Sequence, residues 1–197
     1  MGARSGSGSG MGGGGLYGRA AQLANKYLGD VKNPALKKEL AEGMGIFDKE
    51  FGIPGRITVT TKDLGNQILG RINYKSGNIE INSRYEDGRI SMDSAKFTMV
   101  HELAHSIDKT LDKSAVINGS KIKRVTKPEN KMFDKKLTAA YKTFKTNYGN
   151  AATKQIGRYA LTNSNEFFAE SLAHHMTGTK NQYTKYVYNL AKMMEGK

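Results

Sequence analysis

The sequence predicts an α+β domain with a small mixed sheet and a mostly helical C-terminal half. Between residues 57 and 83, short stretches of β-branched residues alternate with polar ones, as in half-buried strands. On both sides of that region, apolar residues repeat every three or four positions, as on one face of a helix. We assign residues 16–197 to one domain, with helices and the sheet in 16–98 and a helical part in 99–197.

Composition separates residues 1–15 from that domain and narrows the class of protein. This stretch is rich in glycine and serine and lacks the apolar segment of a signal peptide, so we expect a disordered tail or linker. The absence of cysteine excludes disulfides and thiol chemistry. The net charge of +13 favours acidic partners, and no apolar run is long enough for a membrane span.

The elements follow from periodicity and from start and stop signals. Asn33 and Pro34 begin a helix, in which Gly43 and Gly45 predict a break towards the end. A hairpin turn is expected at 75–78, between two strands. The predicted elements are helices at 16–28 and from residue 34, strands at 57–61, 68–74 and 79–82, and helices around 129–147 and 182–194.

The stretch 99–108, MVHELAHSID, carries the most specific chemical signal in the chain. His101 and His105 are four residues apart, so on a helix they lie on one face and can bind one Zn²⁺. Glu102 is rotated by about 100° around the helix, where it can accept a proton from a metal-activated water. The alternative is a chance motif whose histidines are ordinary residues at the border of the core.

A zinc site of this kind needs a third protein ligand. A third histidine six residues after His105 is excluded, because Leu111 stands there. The stretch 163–173 offers instead Glu166 and Glu170, four residues apart on one helical face. We assign Glu166 as the third ligand and Glu170 as the carboxylate that orients a ligand histidine. The alternative for this pair is the solvated acidic edge of an amphipathic helix.

These motifs together resemble the metalloprotease domain of the anthrax lethal factor-like (ATLF-like) family and its small secreted relatives, the Pro-Pro endopeptidases. Three features carry the similarity: the zinc helix at 101–108, the Glu-Phe-Phe-Ala-Glu motif at 166–170, and Tyr159, seven residues before the first glutamate of that motif. The resemblance implies a zincin-like fold of the gluzincin type, one Zn²⁺ per chain and a protein or peptide substrate.

The resemblance also implies roles for two residues that the spacing of the motifs does not assign. Tyr159 would donate a hydrogen bond to the oxyanion of the transition state, whereas a packing tyrosine is the simpler alternative. Asp108 would join Glu170 as a carboxylate behind the metal ligands. The connection between His105 and Glu166 looks longer and richer in lysine than the family leads us to expect, so substrate preference is not carried over.

Two stretches are interpreted as surfaces. We expect the strand at 79–82 and the residue after it to form an edge with which an extended substrate makes main-chain hydrogen bonds. An ordinary hairpin explains the pattern equally well. The residues of this expected edge are Ile79, Glu80, Ile81, Asn82 and Ser83. The lysine-rich section 113–158 is either a solvated face or a surface for an acidic partner. No recognised nucleic-acid motif accompanies it. His174 and His175 are expected to end the glutamate helix and are not assigned to zinc.

The sequence therefore predicts a zinc-dependent endopeptidase in which Glu102 is the general base for a metal-activated water. An alternative is an inactive or accessory module that binds an acidic partner, such as a polyanion, a cell-wall polymer or a nucleic acid. The same domain could also belong to a larger phage or toxin polypeptide. Family resemblance and the lack of cysteine favour an extracellular location, although this chain carries no signal peptide.

Overall fold

The computed structural model describes residues 18–54, 57–73, 76–107, 115–118, 121–124 and 128–195, which form a mixed α and β structure. Single turns of 3-10 helix lie at Ser83–Tyr85, Met92–Ser94 and Tyr159–Leu161. As predicted, helices dominate the C-terminal half, and no described helix is both long and apolar enough to cross a membrane. The elements are α1 (Arg19–Tyr27), α2 (Pro34–Phe51), β1 (Thr58–Lys62), β2 (Gly70–Asn73), β3 (Asn78–Asn82), α3 (Ala95–Ile107), β4 (Ala115–Asn118), β5 (Lys121–Arg124), α4 (Pro128–Thr146), α5 (Ala151–Ile156), α6 (Ser164–Thr177) and α7 (Gln182–Glu195).

Helix α2 begins where the sequence predicts, but it does not break at its glycines. Oδ1 of Asn33 accepts hydrogen bonds from two main-chain amides of the first turn, at 2.9 and 3.2 Å, and so caps the helix. The predicted break near Gly43 is wrong, because α2 continues to Phe51. A Cβ at Gly43 would lie 2.7 Å from the carbonyl oxygen of Lys96 in α3. This glycine therefore permits two helices to approach closely rather than ending one of them.

The three-stranded sheet has the order β1-β3-β2. β3 pairs with β1 in parallel and with β2 in antiparallel orientation, the latter through the predicted hairpin. Ile72, Ile79 and Ile81 of this sheet belong to the same core cluster as the buried faces of α2, α3 and α6. The sheet is therefore small but joined to the helices through one apolar core.

The expected substrate edge at Ile79–Ser83 is wrong. β3 is the central strand, with β1 on one side and β2 on the other, so its main chain is paired on both sides. A strand that is already paired on both sides has no free edge for a substrate. Ser83 begins the 3-10 turn that follows β3. Within this three-stranded sheet, the strands with a free edge are β1 and β2.

Helix α3 lies at the centre of the molecule, between α2 and α6, and it also contacts β2. Ten of its 13 residues are buried, so it carries polar side chains into the interior. His101, Glu102 and His105 are only 7%, 4% and 3% exposed. Burying groups of this kind is costly unless they have charged or hydrogen-bonding partners, so these three residues need compensation from neighbouring elements.

A hairpin that the sequence did not predict interrupts the lysine-rich section. β4 and β5 pair in antiparallel orientation between Ala115 and Arg124. Each arm has only four residues, which is the shortest length at which an alternation of apolar and polar residues indicates a strand. The section after this hairpin is helical from Pro128, close to the predicted start of α4.

Candidate metal centre

Three potential metal ligands from α3 and α6 converge at one point. The Nε2 atoms of His101 and His105 lie 3.1 Å apart, and each lies 3.2 Å from Oε2 of Glu166. In a tetrahedral site with ligand distances of about 2.0–2.1 Å, the ligand atoms lie about 3.3 Å from one another. The triangle formed by these two Nε2 atoms and Oε2 of Glu166 has this size, so its residues fit a Zn²⁺ ion. No other group of three such side chains is found in the part of the chain that the structure describes.

The two helices bring these groups together because each helix carries its polar side chains at intervals of four residues. Asn163 caps α6 by accepting hydrogen bonds from two amides of its first turn, both at 2.9 Å, which places Glu166 in that turn. The helices run in opposite directions, and their facing pairs are His105 with Glu166, His101 with Glu170, and Phe97 with His174. The regular four-residue spacing on each helix thus becomes a ladder of three facing pairs.

Charge in the triangle is balanced by mutual contacts. Burial pulls the pKa of His101 down, but the carboxylates of Glu166 and Glu170 outweigh it and raise that pKa to about 10. Burial pushes the pKa of Glu166 up, but His101 and His105 outweigh it and lower that pKa to about 2. A histidine binds a metal ion through a neutral ring nitrogen, so metal binding at this centre would compete with the proton that the two carboxylates favour on His101.

Glu102 lies beside the triangle but outside it. Burial is the largest influence on its carboxyl group and raises its pKa to about 7, although His101 opposes the change. The main-chain N–H of Ile72 in β2 also opposes the change, because a nearby amide favours the ionised carboxylate and lowers its pKa. A carboxyl group with a pKa near neutrality can both accept and return a proton, which is what the sequence-based role of Glu102 requires.

Strand β2 passes directly over Glu102. Leu69 is paired with β3, since its carbonyl oxygen accepts a hydrogen bond of 2.9 Å from the amide of Asn82. In an antiparallel pair the hydrogen-bonded positions alternate, so Gly70 and Ile72 direct their main-chain groups to the free edge. A Cβ at Gly70 would lie 2.8 Å from Cγ2 of Thr98 and 3.2 Å from two side-chain atoms of Glu102. Glycine is therefore required where the strand crosses the helix.

Tyr159 lies at the mouth of the site. Its ring centroid is 6.1 Å from that of His101, and the residue is 58% exposed. The turn that carries it is fixed by the hydroxyl of Tyr141, which donates a 2.6 Å hydrogen bond to the carbonyl oxygen of Leu161. Burial and the nearby carboxylates raise the pKa of the Tyr159 phenol. The phenol therefore keeps its proton at neutral pH and is available as a hydrogen-bond donor.

Glu170 lies behind the triangle. Its Oε1 is 3.2 Å from Nδ1 of His101, within ion-pair range although not aligned as a hydrogen bond. Its Oε2 lies 3.7 Å from Nε2 of His174. The carboxylate thus lies between a proposed ligand and a histidine that the sequence analysis left unassigned.

A cleft of about 370 Å³ opens beside these residues, and Tyr159 and Glu170 line it together with apolar residues. Gln67, Ile68 and Leu69 form its rim. Asn82 holds this rim from below, because its side-chain amide donates to the carbonyl oxygens of Gly65 (2.7 Å) and Ile68 (2.6 Å). Asn82 is fully buried, so its part in the site is to brace a loop rather than to pair with a substrate.

The structure brings together His101, His105 and Glu166, with Glu102 beside them and Glu170 behind, whereas Asp108 lies outside the described residues. Gly70 and Asn82 were missed as contributors to the site. Gly70 had a local signal, since a glycine inside a strand pattern indicates close backbone approach. Asn82 gave none, because its two carbonyl partners are brought near only by the fold.

Comparisons with known proteins define the class. A sequence model for a metallopeptidase family matches residues 65–187, well over half of the chain, and the candidate centre lies within the match. The protein belongs to this family, which is described as glucose-regulated metallo-peptidase M90. The prediction of a metallopeptidase is thereby confirmed, and membership implies a metal cofactor. No curated protein and no solved structure matches the chain.

Proposed function

We propose that this metallopeptidase is a zinc-dependent endopeptidase of the His-Glu-x-x-His type. The observation that carries the proposal is the convergence of His101, His105 and Glu166 on one point, with Glu102 adjacent. Two imidazoles and one carboxylate are a ligand set that suits Zn²⁺ and leaves a fourth position open. Family membership supports the peptidase class, and the ligand set supports the metal.

In the proposed reaction a bound Zn²⁺ would lower the pKa of a water molecule and polarise the scissile carbonyl. The Glu102 carboxylate accepts the proton of the attacking water and passes it to the nitrogen of the leaving amine. The Tyr159 hydroxyl donates a hydrogen bond to the oxyanion that develops from the carbonyl oxygen. Glu170 keeps the His101 ring oriented through Nδ1.

We place the substrate along the free edge of β2 rather than along β3. Gly70 and Ile72 direct main-chain groups outward there, immediately above Glu102. An extended peptide can pair with such an edge, and pairing here would bring its carbonyl groups towards the candidate metal centre. The protein or peptide substrate would then be bound mainly through its backbone.

The narrower relationship to the ATLF-like proteases, with a zincin-like fold of the gluzincin type, also belongs to this proposal. It is supported by the order of the parts along the chain: the helix with the two histidines, then Tyr159, then the helix with Glu166 and Glu170. The small mixed sheet that crosses above α3 is consistent with such a fold.

The test combines zinc content with peptide cleavage. We expect the wild-type protein to hold one zinc ion, Glu166→Ala to lose it, and Glu102→Gln to keep it. On a peptide library, Glu102→Gln should cleave about 10²–10⁴-fold more slowly, the range for loss of a general base. Glu39→Gln, a carboxylate change on α2, is the matched control and should behave as wild type in both measurements.

Two results would contradict the proposal. One is a wild-type protein that holds no zinc when metal is supplied. The other is a Glu166→Ala variant that binds zinc as tightly as wild type, because the proposed ligand set would then be incorrect.

A second candidate function is binding of an acidic partner, supported by the exposed side of α4. Lys131, Lys135, Lys142 and Lys145 are all exposed and, by their positions, fall within about 80° of the helix circumference. We expect salt-dependent retention on a heparin column that is lost when these four lysines become glutamine. The control replaces the exposed Lys26, Lys32, Lys38 and Lys49, which gives the same net charge. Equal loss in both variants would indicate net charge alone.

A further inference from the structure

We infer that His174 is a positioning residue of the metal centre, which holds Glu170 in place and thereby fixes the orientation of His101. This inference rests on the proposed zinc site. It gives a role to a histidine that lies one turn beyond Glu170, on the same face of α6.

The Glu170 carboxylate is held between two imidazole rings. Oε1 lies 3.2 Å from Nδ1 of His101, and Oε2 lies 3.7 Å from Nε2 of His174. The residue is only 9% exposed, so most of its surface is covered by protein. A buried carboxylate keeps one rotamer more readily when both of its oxygens face polar groups, and these two rings are the polar groups that the structure places within 4 Å of them.

His174 is itself held by two other elements. Its ring packs on Phe97 of α3, with centroids 4.7 Å apart. The main chain of Ile156, at the end of α5, also lies close to the ring. His174 is therefore anchored to α3 and α5 while it faces Glu170, which sits on its own helix. A contact of this kind restricts rotation of the carboxylate more than a solvated side chain would.

The adjacent histidine has a different environment and serves as a matched control. His175 stacks on Tyr188 of α7, with centroids 4.3 Å apart and planes at 16°, on the side of α6 away from the ladder. A change at His175 alters the same helix turn without touching Glu170. An effect that is seen for changes at His174 but not at His175 is therefore due to the contact with Glu170 and not to the stability of the helix end.

The test measures zinc affinity by competition with a chelator, in purified full-length variants. His174→Phe keeps an aromatic ring against Phe97 but removes the donor, whereas His174→Gln places an amide N–H close to the position of Nε2. We expect His174→Phe to bind zinc about 5–10-fold more weakly, somewhat less than the loss of about 10–100-fold expected for Glu170→Ala. His174→Gln and His175→Gln should stay within about twofold of wild type.

A double-mutant cycle identifies the route of the effect. In the Glu170→Ala background, His174→Phe should cause no further loss, because residues that act through one another are not additive. Melting curves of the metal-free variants check that each one folds.

The outcomes separate this inference from the proposed function. It is overturned if His174→Phe binds zinc as tightly as wild type, if the loss persists in the Glu170→Ala background, or if His174→Gln is as weak as His174→Phe. If those results occur while Glu166→Ala still abolishes binding, only this inference fails. If Glu166→Ala binds zinc normally, the site itself is wrong, and both fail.

Discussion

Tyr159 differs from the other proposed catalytic side chains in its degree of exposure. His101, Glu102 and His105 are almost fully buried, whereas Tyr159 is 58% exposed and reaches the site from a short turn rather than a helix. The turn is held by main-chain hydrogen bonds and by the hydroxyl of Tyr141, and the hydroxyl of Tyr159 takes no part in these bonds. The phenol can therefore serve the reaction without being needed for folding.

The Tyr159→Phe variant should isolate that contribution. We expect kcat to fall by about 10²–10³-fold, the usual cost of losing one oxyanion donor, with KM and melting temperature nearly unchanged. Steady-state kinetics on a cleaved library peptide would measure both constants. Tyr186→Phe, at another exposed tyrosine on α7, is the control. Equal effects of the two changes, or a change in KM alone, would argue against the role.

At the scale of elements, the crossing of β2 over α3 decides the shape of the site. The strand lies so close to the helix that a Cβ at Gly70 meets both Thr98 and Glu102. This contact fixes Glu102 from above, while the nearby main-chain N–H of Ile72 favours the ionised form of its carboxylate. The strand therefore serves as a free edge and also as the support of the proposed general base.

The Gly70→Ala variant should test this crossing. We expect it to lose about 1–3 kcal/mol of unfolding free energy through overpacking and to lose peptidase activity through displacement of Glu102 or β2. Zinc content should stay at the wild-type value, since the three ligands come from α3 and α6. Gly29→Ala, where the added methyl group meets nothing within 4 Å, is the control for both denaturation and activity. A Gly70→Ala protein that is fully active and stable would show that β2 and α3 can move apart at this point without loss of function.

At the scale of the whole molecule, helices α2 and α7, which are far apart in the sequence, are joined by a polar contact. The hydroxyl of Tyr188 in α7 donates a 2.6 Å hydrogen bond to the carboxylate of Glu50 in α2, and Nζ of Lys192 lies 3.5 Å from the same group. The hydrogen bond from Tyr188 is the largest influence on Glu50 and lowers its pKa below the usual 4.5. The folded protein therefore binds this proton less readily than the unfolded chain does.

Stability should consequently depend on Glu50 at acidic pH. A lowered folded-state pKa contributes stability that is present above pH 4.5 and is lost as the pH falls through the folded value. We expect Glu50→Gln to cost about 1 kcal/mol near neutrality, after allowing for partial exposure, and less in acid. Urea denaturation between pH 3 and 7 measures this, with Tyr188→Phe as a second variant that weakens the same contact. An unchanged difference across that pH range would contradict the assignment.

Metal binding should stabilise the entire fold, because α3 and α6 both belong to the central core. At a free zinc concentration of 100 times Kd, the gain is about 2.7 kcal/mol, or roughly 5–10 °C in Tm for a protein of this size. Differential scanning calorimetry with zinc and then with a chelator would show the rise and its reversal. The Glu166→Ala variant should show neither.

The sequence by itself determined the features that depend on local spacing. The pairs His101–His105 and Glu166–Glu170 are four residues apart, and any helix places such pairs on one face. The caps at Asn33 and Asn163 are local as well, since each side chain bonds amides two and three residues ahead. For this reason the metallopeptidase class, the longer helices and the hairpin of β2 and β3 were predictable without a structure.

Tertiary structure alone decided how these parts meet. The strand order β1-β3-β2 moved the free edge from Ile79–Ser83 to β2, because a hydrophobic pattern marks a strand but not its neighbours. The same holds for Gly43, whose helix continues because α3 packs against it. The contact between His174 and Glu170 needs Phe97 and Ile156 to hold the ring, and these residues come from separate elements. Long-range packing, which local periodicity does not encode, fixed each of these positions.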